Sequence, residues 1–182
     1  MKKVLVLIFA FLCIIVFNAQ AQIDIGATIG VQIPTGSFGD GVKTGFGFNV
    51  VGKYMLKENI ALGLNLGDQF FGMKDSGLES GSASVSIIPI TALFEYHFGS
   101  GKVKPYLGAD LGLYVLTAKI KILGVKASSS NTYFGFAPVG GIMCELSEKM
   151  SFCANIKYND VLSEGESSSW LGINAGIIFK IK

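Results

Sequence analysis

Residues 60–66 read Ile-Ala-Leu-Gly-Leu-Asn-Leu, with a large aliphatic residue at every even position and alanine, glycine or asparagine between. A period of two is that of a β-strand, whose successive side chains point to opposite faces. A soluble strand hides its large residues against other large residues. Here the opposite face is too small to build such a core, so the leucines are expected to face an apolar solvent. Residues 23–33 repeat the pattern: Ile23, Ile25, Ala27, Ile29, Val31 and Ile33 alternate with Asp24, Gly26, Thr28, Gly30 and Gln32. Glycines recur at spacing four on the small face, as Gly63 and Gly67, Gly108 and Gly112, and Gly172 and Gly176. Half of the 182 residues are apolar, yet no stretch after residue 21 reaches the 18 or so unbroken apolar residues of a membrane helix. A chain that crosses a bilayer without helices must close its backbone hydrogen bonds in a barrel.

The chain divides into eight such segments: 23–34, 46–56, 59–72, 87–98, 104–122, 133–146, 150–159 and 170–182. The connections alternate long and short. Lys57-Glu58-Asn59, Gly99-Ser100-Gly101-Lys102 and Ser147-Glu148-Lys149 are tight turns, whereas residues 35–45, 74–84, 123–132 and 160–169 are longer, polar and rich in Gly and Ser. Hairpins with this alternation predict an all-β fold, an eight-stranded antiparallel up-and-down transmembrane barrel with short periplasmic turns and longer outer loops. Aromatic residues near the segment ends, including Phe46, Phe48, Tyr54, Phe94, Tyr96, Phe98, Phe134, Phe136, Tyr158, Trp170 and Phe179, are expected to form the two interfacial girdles.

The first 21 residues read differently. Met1-Lys2-Lys3 is followed by 14 apolar residues, Val4 to Phe17, and then by Ala19-Gln20-Ala21. That is a secretory signal peptide, expected to be cleaved before Gln22. The remaining 161 residues, 22–182, form the barrel domain. They carry 13 Lys, no Arg and 13 acids, so their net charge is zero, a poor basis for binding nucleic acid.

IPITALFEYHF (88–98, with Ile87 before it), KPYLGADLGLY (104–114) and LSEKMSFCANIKYN (146–159) resemble strands of small outer-membrane β-barrel proteins of the OmpA/OmpX type from Gram-negative bacteria, with OmpW-like barrels as a second choice. The resemblance implies a protein placed in the bacterial outer membrane by the barrel-insertion machinery, a monomer in contact with outer-membrane lipid and lipopolysaccharide. It implies a structural or surface-interaction role without enzymatic activity. The alternative is passage of small hydrophobic molecules, for which Phe71, Leu93, Tyr114 and Ile178 are the candidate lining. A departure from the family pattern is the ending Phe179-Lys180-Ile181-Lys182, where many members end on an aromatic residue.

Few residues invite chemistry. His97 is the only histidine, two residues from Glu95, with no nucleophile or metal-ligand set grouped beside it. No catalytic, metal or cofactor site is expected. By face, Asp24, Lys53, Glu95, Asp110, Lys157 and Lys180 point inward, three acids and three bases. They are expected to pair as an interior plug, because an isolated buried charge costs several kcal/mol. Asn49, Asn65, Tyr106, Asn155 and Asn174 would fill it with hydrogen bonds. A regular hairpin centred on Glu148-Lys149 sets Cys144 opposite Cys153, a possible disulfide in an oxidising compartment. Lys119, Lys121 and Lys126 are placed to touch lipopolysaccharide phosphates at the outer rim.

Overall fold

The period-two alternation does produce strands throughout. The computed structural model describes residues 22–74, 81–122, 125–163 and 167–181, without the side chains of 81–82, 121–122 and 125–126; the expected signal peptide, 1–21, lies outside the described residues. The strands are β1 (Ile23–Thr35), β2 (Gly45–Lys57), β3 (Ile60–Gly72), β4 (Gly81–His97), β5 (Val103–Ile122), β6 (Val125–Ser147), β7 (Met150–Leu162) and β8 (Ser167–Lys180). Each pairs antiparallel with the next, and β1 pairs with β8, so the sheet closes and leaves no edge through the barrel wall.

Closure sorts the two faces. Leu64 and Ile29 are about 70% open to the surroundings (70% and 71%), whereas Asn65 between the leucines is 3% exposed. The large aliphatic residues thus cover the outside, and the small and polar residues fill the inside. The interior is narrow enough that some glycines are obligatory. A Cβ on Gly141 would lie 2.7 Å from the ring of Tyr106, and one on Gly135 would lie 2.8 Å from the ring of Tyr114. β6 therefore gives up side chains so that two tyrosines of β5 can lie across it. At the turn end, Gly99 takes φ +77°, a left-handed conformation that glycine adopts without strain.

Besides the few residues by which β7 and β8 run into the 160–169 segment, the loop end departs from the sequence expectation in three places. Residues 35–45, read as a polar loop, contain a short helix, α1 (Gly36–Gly41). β4 starts at Gly81 rather than 87. Residues 125–132, read as a loop, belong to β6, which pairs with β5 out to Val125↔Ile122. β5 and β6 thus reach 20 and 23 residues, against 13 for β1, β2, β3 and β7. Their hairpin extends beyond β1, β2, β3 and β7, with β4 paired beside it as far as Gly81↔Ile122.

Candidate functional site: the barrel interior

At the loop end the inside is apolar. Val42, Phe71, Ile87, Tyr114, Val161 and Trp170 form one buried cluster. Trp170 is fully buried, with its ring 5.8 Å from Phe71 and 5.9 Å from Tyr114, both edge-on. This corrects the girdle reading of Trp170: it shares the parity of Gly172 and Asn174 and points inward. Phe38 of α1 closes the cluster from above, 5.3 Å from Phe71 and 6.1 Å from Trp170. The α1 segment is tied to the end of β3. Lys74 donates through Nζ to the Gly39 carbonyl at 2.6 Å and through its backbone N–H to Gly41 at 2.9 Å, and Val42 bridges Met73.

Below the cap the interior is polar and largely hydrogen-bonded. Gln69 donates to Asn49 at 3.1 Å, and Gln32 donates to Asn174 at 3.0 Å. Asn174 donates in turn to Asn155 at 3.0 Å, and Asn155 to the Tyr106 hydroxyl at 3.2 Å. Two ion pairs lie in this layer. Lys157 Nζ is 2.5 Å from Asp110, which also accepts from Thr91 at 3.3 Å; Asn65 donates to that threonine at 3.3 Å. Lys53 Nζ is 2.7 Å from Glu95, with 4% and 7% of the two side chains exposed, and it also lies 5.3 Å from the Tyr106 ring centroid. His97 Nε2 is 3.1 Å from the same Glu95 oxygen, and its ring stacks on Tyr106 at 5.2 Å. The histidine is thus fixed as a second partner of Glu95. A second apolar group, Val51, Leu93, Met143, Cys153 and Ile178, packs beside the network. The space left among these side chains is about 20 Å³, room for one or two water molecules.

At the turn end the barrel opens into a cavity of about 920 Å³, with Asp24, His97, Lys104, Glu145 and Lys180 in its wall. Lys180 is here, 2.6 Å from Glu145, and Lys104 reaches the same Glu145 oxygen at 3.3 Å. Glu145 was not among the inward charges expected from the sequence, although its parity with Met143 would have found it. Asp24 accepts 2.6 Å from the Gln22 side-chain amide. Among the described residues no group of three or more His, Cys, Asp or Glu is arranged to hold a metal.

The cysteines do not meet. The hairpin starts in the expected register, with Ser147 opposite Met150, but a bulge between Glu145 and Ser147 shifts it by one. Cys144 therefore faces Phe152 and Cys153 faces Met143, and both thiols are free. A one-residue slip places the two side chains on opposite faces of the wall, which removes the expected disulfide. Barrel unfolded in alkylating reagent without prior reduction is expected to gain two adducts, at Cys144 and Cys153, by mass spectrometry. A mass without adducts would restore the bridge. Of the three rim lysines, Lys119 is exposed on β5, and Lys121 is the register partner of Lys126; the side chains of those two lie outside the described set.

A family model described as outer membrane protein beta-barrel domain matches residues 6–179. The chain belongs to that family. Among curated proteins none matches. Among solved structures, it resembles Neisserial surface protein A at 20% identity and TM-score 0.65, over 88% of this chain and 99% of that one. Ail, the attachment invasion locus protein of Yersinia pestis, follows at 16% identity and TM-score 0.57, over 88% and 97%. OprG of Pseudomonas aeruginosa gives 15% and 0.53, over 88% and 95%. These likenesses share the fold. As an outer-membrane barrel of bacteria, the chain turns its aliphatic face to lipid and its long-connection end to the outside. The apolar cap then lies at the extracellular end, and the 920 Å³ cavity opens at the periplasmic end as a vestibule.

Proposed function

We propose that this barrel is a closed, non-enzymatic protein that acts at the cell surface through its β5–β6 hairpin. The observation that carries the reading is the interior. A packed apolar cap and a hydrogen-bonded ionic layer leave about 20 Å³ between the vestibule and the outside, too little for a solute path. The length of β5 and β6 supports a role for the hairpin. Lys119, Lys121 and Lys126 cluster near its tip by register, with Ser128, Ser129 and Ser130 following on β6. Lysines near an anionic surface attract phosphate or sulfate, about 1 kcal/mol each. Ail has been solved in complex with the heparin analogue sucrose octasulfate, so a barrel of this fold can carry an anion-binding surface. The partner favoured here is the phosphate of neighbouring lipopolysaccharide.

Passage of small apolar molecules fits less well. Phe71 and Tyr114 belong to the cap, while Leu93 and Ile178 belong to the second cluster. The four do not line one continuous channel. The test uses vesicles with and without lipopolysaccharide. The barrel is expected to admit an apolar dye no faster than empty vesicles. Replacing all three lysines by glutamine (Lys119→Gln, Lys121→Gln, Lys126→Gln) is expected to weaken binding of the detergent-solubilised barrel to lipopolysaccharide on the order of 100-fold at low salt. Fast dye entry would overturn the closed interior, and unchanged binding would overturn the hairpin's role.

A further inference from the structure

Among the described residues, Asp24 is the interior carboxylate that no lysine contacts. It lies near the start of β1, is 3% exposed, and lines the periplasmic vestibule. Its register partners on both sides are lysines, Lys53 on β2 and Lys180 on β8. Neither bridges it. Lys53 is committed to Glu95 at 2.7 Å and Lys180 to Glu145 at 2.6 Å, where Lys104 also binds. The donor that Asp24 does have is a neutral amide, Gln22 Nε2 at 2.6 Å. A buried carboxylate is better matched by a charged donor than by an amide.

The residue that supplies that amide is also the one the leader sequence marks as the start of the mature chain. Gln22 is pinned in place: its carbonyl accepts from Met55 N–H at 3.0 Å, and the carbonyl of Ile23 accepts from Ile181 at 2.8 Å. Gln22 lies just ahead of β1 and lines the vestibule together with Asp24, so its backbone nitrogen belongs to the same wall.

We propose that removal of residues 1–21 completes this site: the α-ammonium freed on Gln22 pairs with Asp24 and fastens β1 at the barrel mouth. This rests on cleavage before Gln22. Hydrolysis of the Ala21–Gln22 peptide bond consumes one water, leaves a carboxylate on Ala21, and yields an amine on Gln22 that takes up a proton. Before cleavage the same nitrogen is an uncharged amide. The pairing also opposes a side reaction of N-terminal glutamine, in which the free amine attacks the side-chain amide, expels ammonia and closes a neutral ring. Here the amide is held by Asp24, and the ammonium has no free electron pair with which to attack.

The intact mass of barrel purified from outer membranes is expected to equal residues 22–182 with an open, unmodified Gln22. A retained leader would overturn the cleavage; a mass lower by one ammonia would overturn the pairing alone. The barrel is then refolded in detergent as the free-amine chain, with a short glycine extension before Gln22, with Asp24→Asn, and with both changes. Extension and substitution are each expected to lower the midpoint of thermal unfolding by about 3 °C, and the double change no further than either alone. Additive losses, or an extension without effect, would overturn the pairing. If Asp24→Asn does not refold, the extension decides alone.

Discussion

Lys53→Met is expected to destabilise the barrel by about 3–5 kcal/mol, because it leaves Glu95 buried and charged without its closest cation. Methionine replaces the lysine stem in volume, so little of the loss comes from a cavity. The lysine also lies over the Tyr106 ring, a contact of about 0.5–2 kcal/mol that methionine only partly replaces. His97 remains 3.1 Å from Glu95 and limits the loss. Adding Glu95→Gln to Lys53→Met is expected to restore much of the stability, since the residual carboxylate charge is what makes the single change severe. The measurement is the temperature at which detergent-folded barrel loses its fast gel mobility. A Lys53→Met barrel as stable as the parent would mean that the pair is solvated and the interior is not closely packed around it.

The barrel was legible because one pattern excluded the alternatives. Large residues on one face and glycines on the other are compatible with an apolar exterior and a crowded interior, and the wall built by β1 to β3 follows that reading residue by residue. The strand ends and the helix that the pattern misses lie at the loop end, where apolar alternation has no reason to persist. The Ser128–Ser130 run carries no apolar alternation, so the sequence predicts a loop there; it is a strand because β5 offers it a continuous ladder of partners. The helix α1 is held by Phe38 docking on a tryptophan and a phenylalanine far away in sequence, a contact that local propensity does not encode.

The interior was partly legible by parity. Counting assigns Asp24, Lys53, Glu95, Asp110, Lys157 and Lys180 to the inner face, and Glu145 obeys the same count. Which acid meets which base depends on strand tilt and register across the barrel, which counting along one strand does not give. The cysteines make the same point more sharply. The turn was placed at the right residues, but a bulge at Leu146 carries no sequence signature here, and it alone separates Cys144 from Cys153.

Trp170→Ala is expected to cost about 3–5 kcal/mol and to loosen the extracellular seal. The indole is fully buried and is the ring on which Phe38, Phe71 and Tyr114 converge. Alanine would leave a cavity that the closed strands on either side cannot collapse to fill, and it would remove the floor under α1. Among the described residues the indole Nε1 has no hydrogen-bond partner, so the ring contributes by packing. Trp170→Phe therefore keeps most of the contacts, removes a stranded donor, and is expected to cost less than about 1.5 kcal/mol. A polar indole with a required partner would give the reverse ranking. Because Trp170 is the only tryptophan, its fluorescence reports on the cap directly in the parent protein. Emission is expected to be blue-shifted and shielded from acrylamide in the folded barrel, and to shift to the red at the same temperature as the gel mobility changes. An indole quenched readily in the folded state would mean that the cap is open, and the path from vestibule to surface would then be blocked by the ionic layer alone.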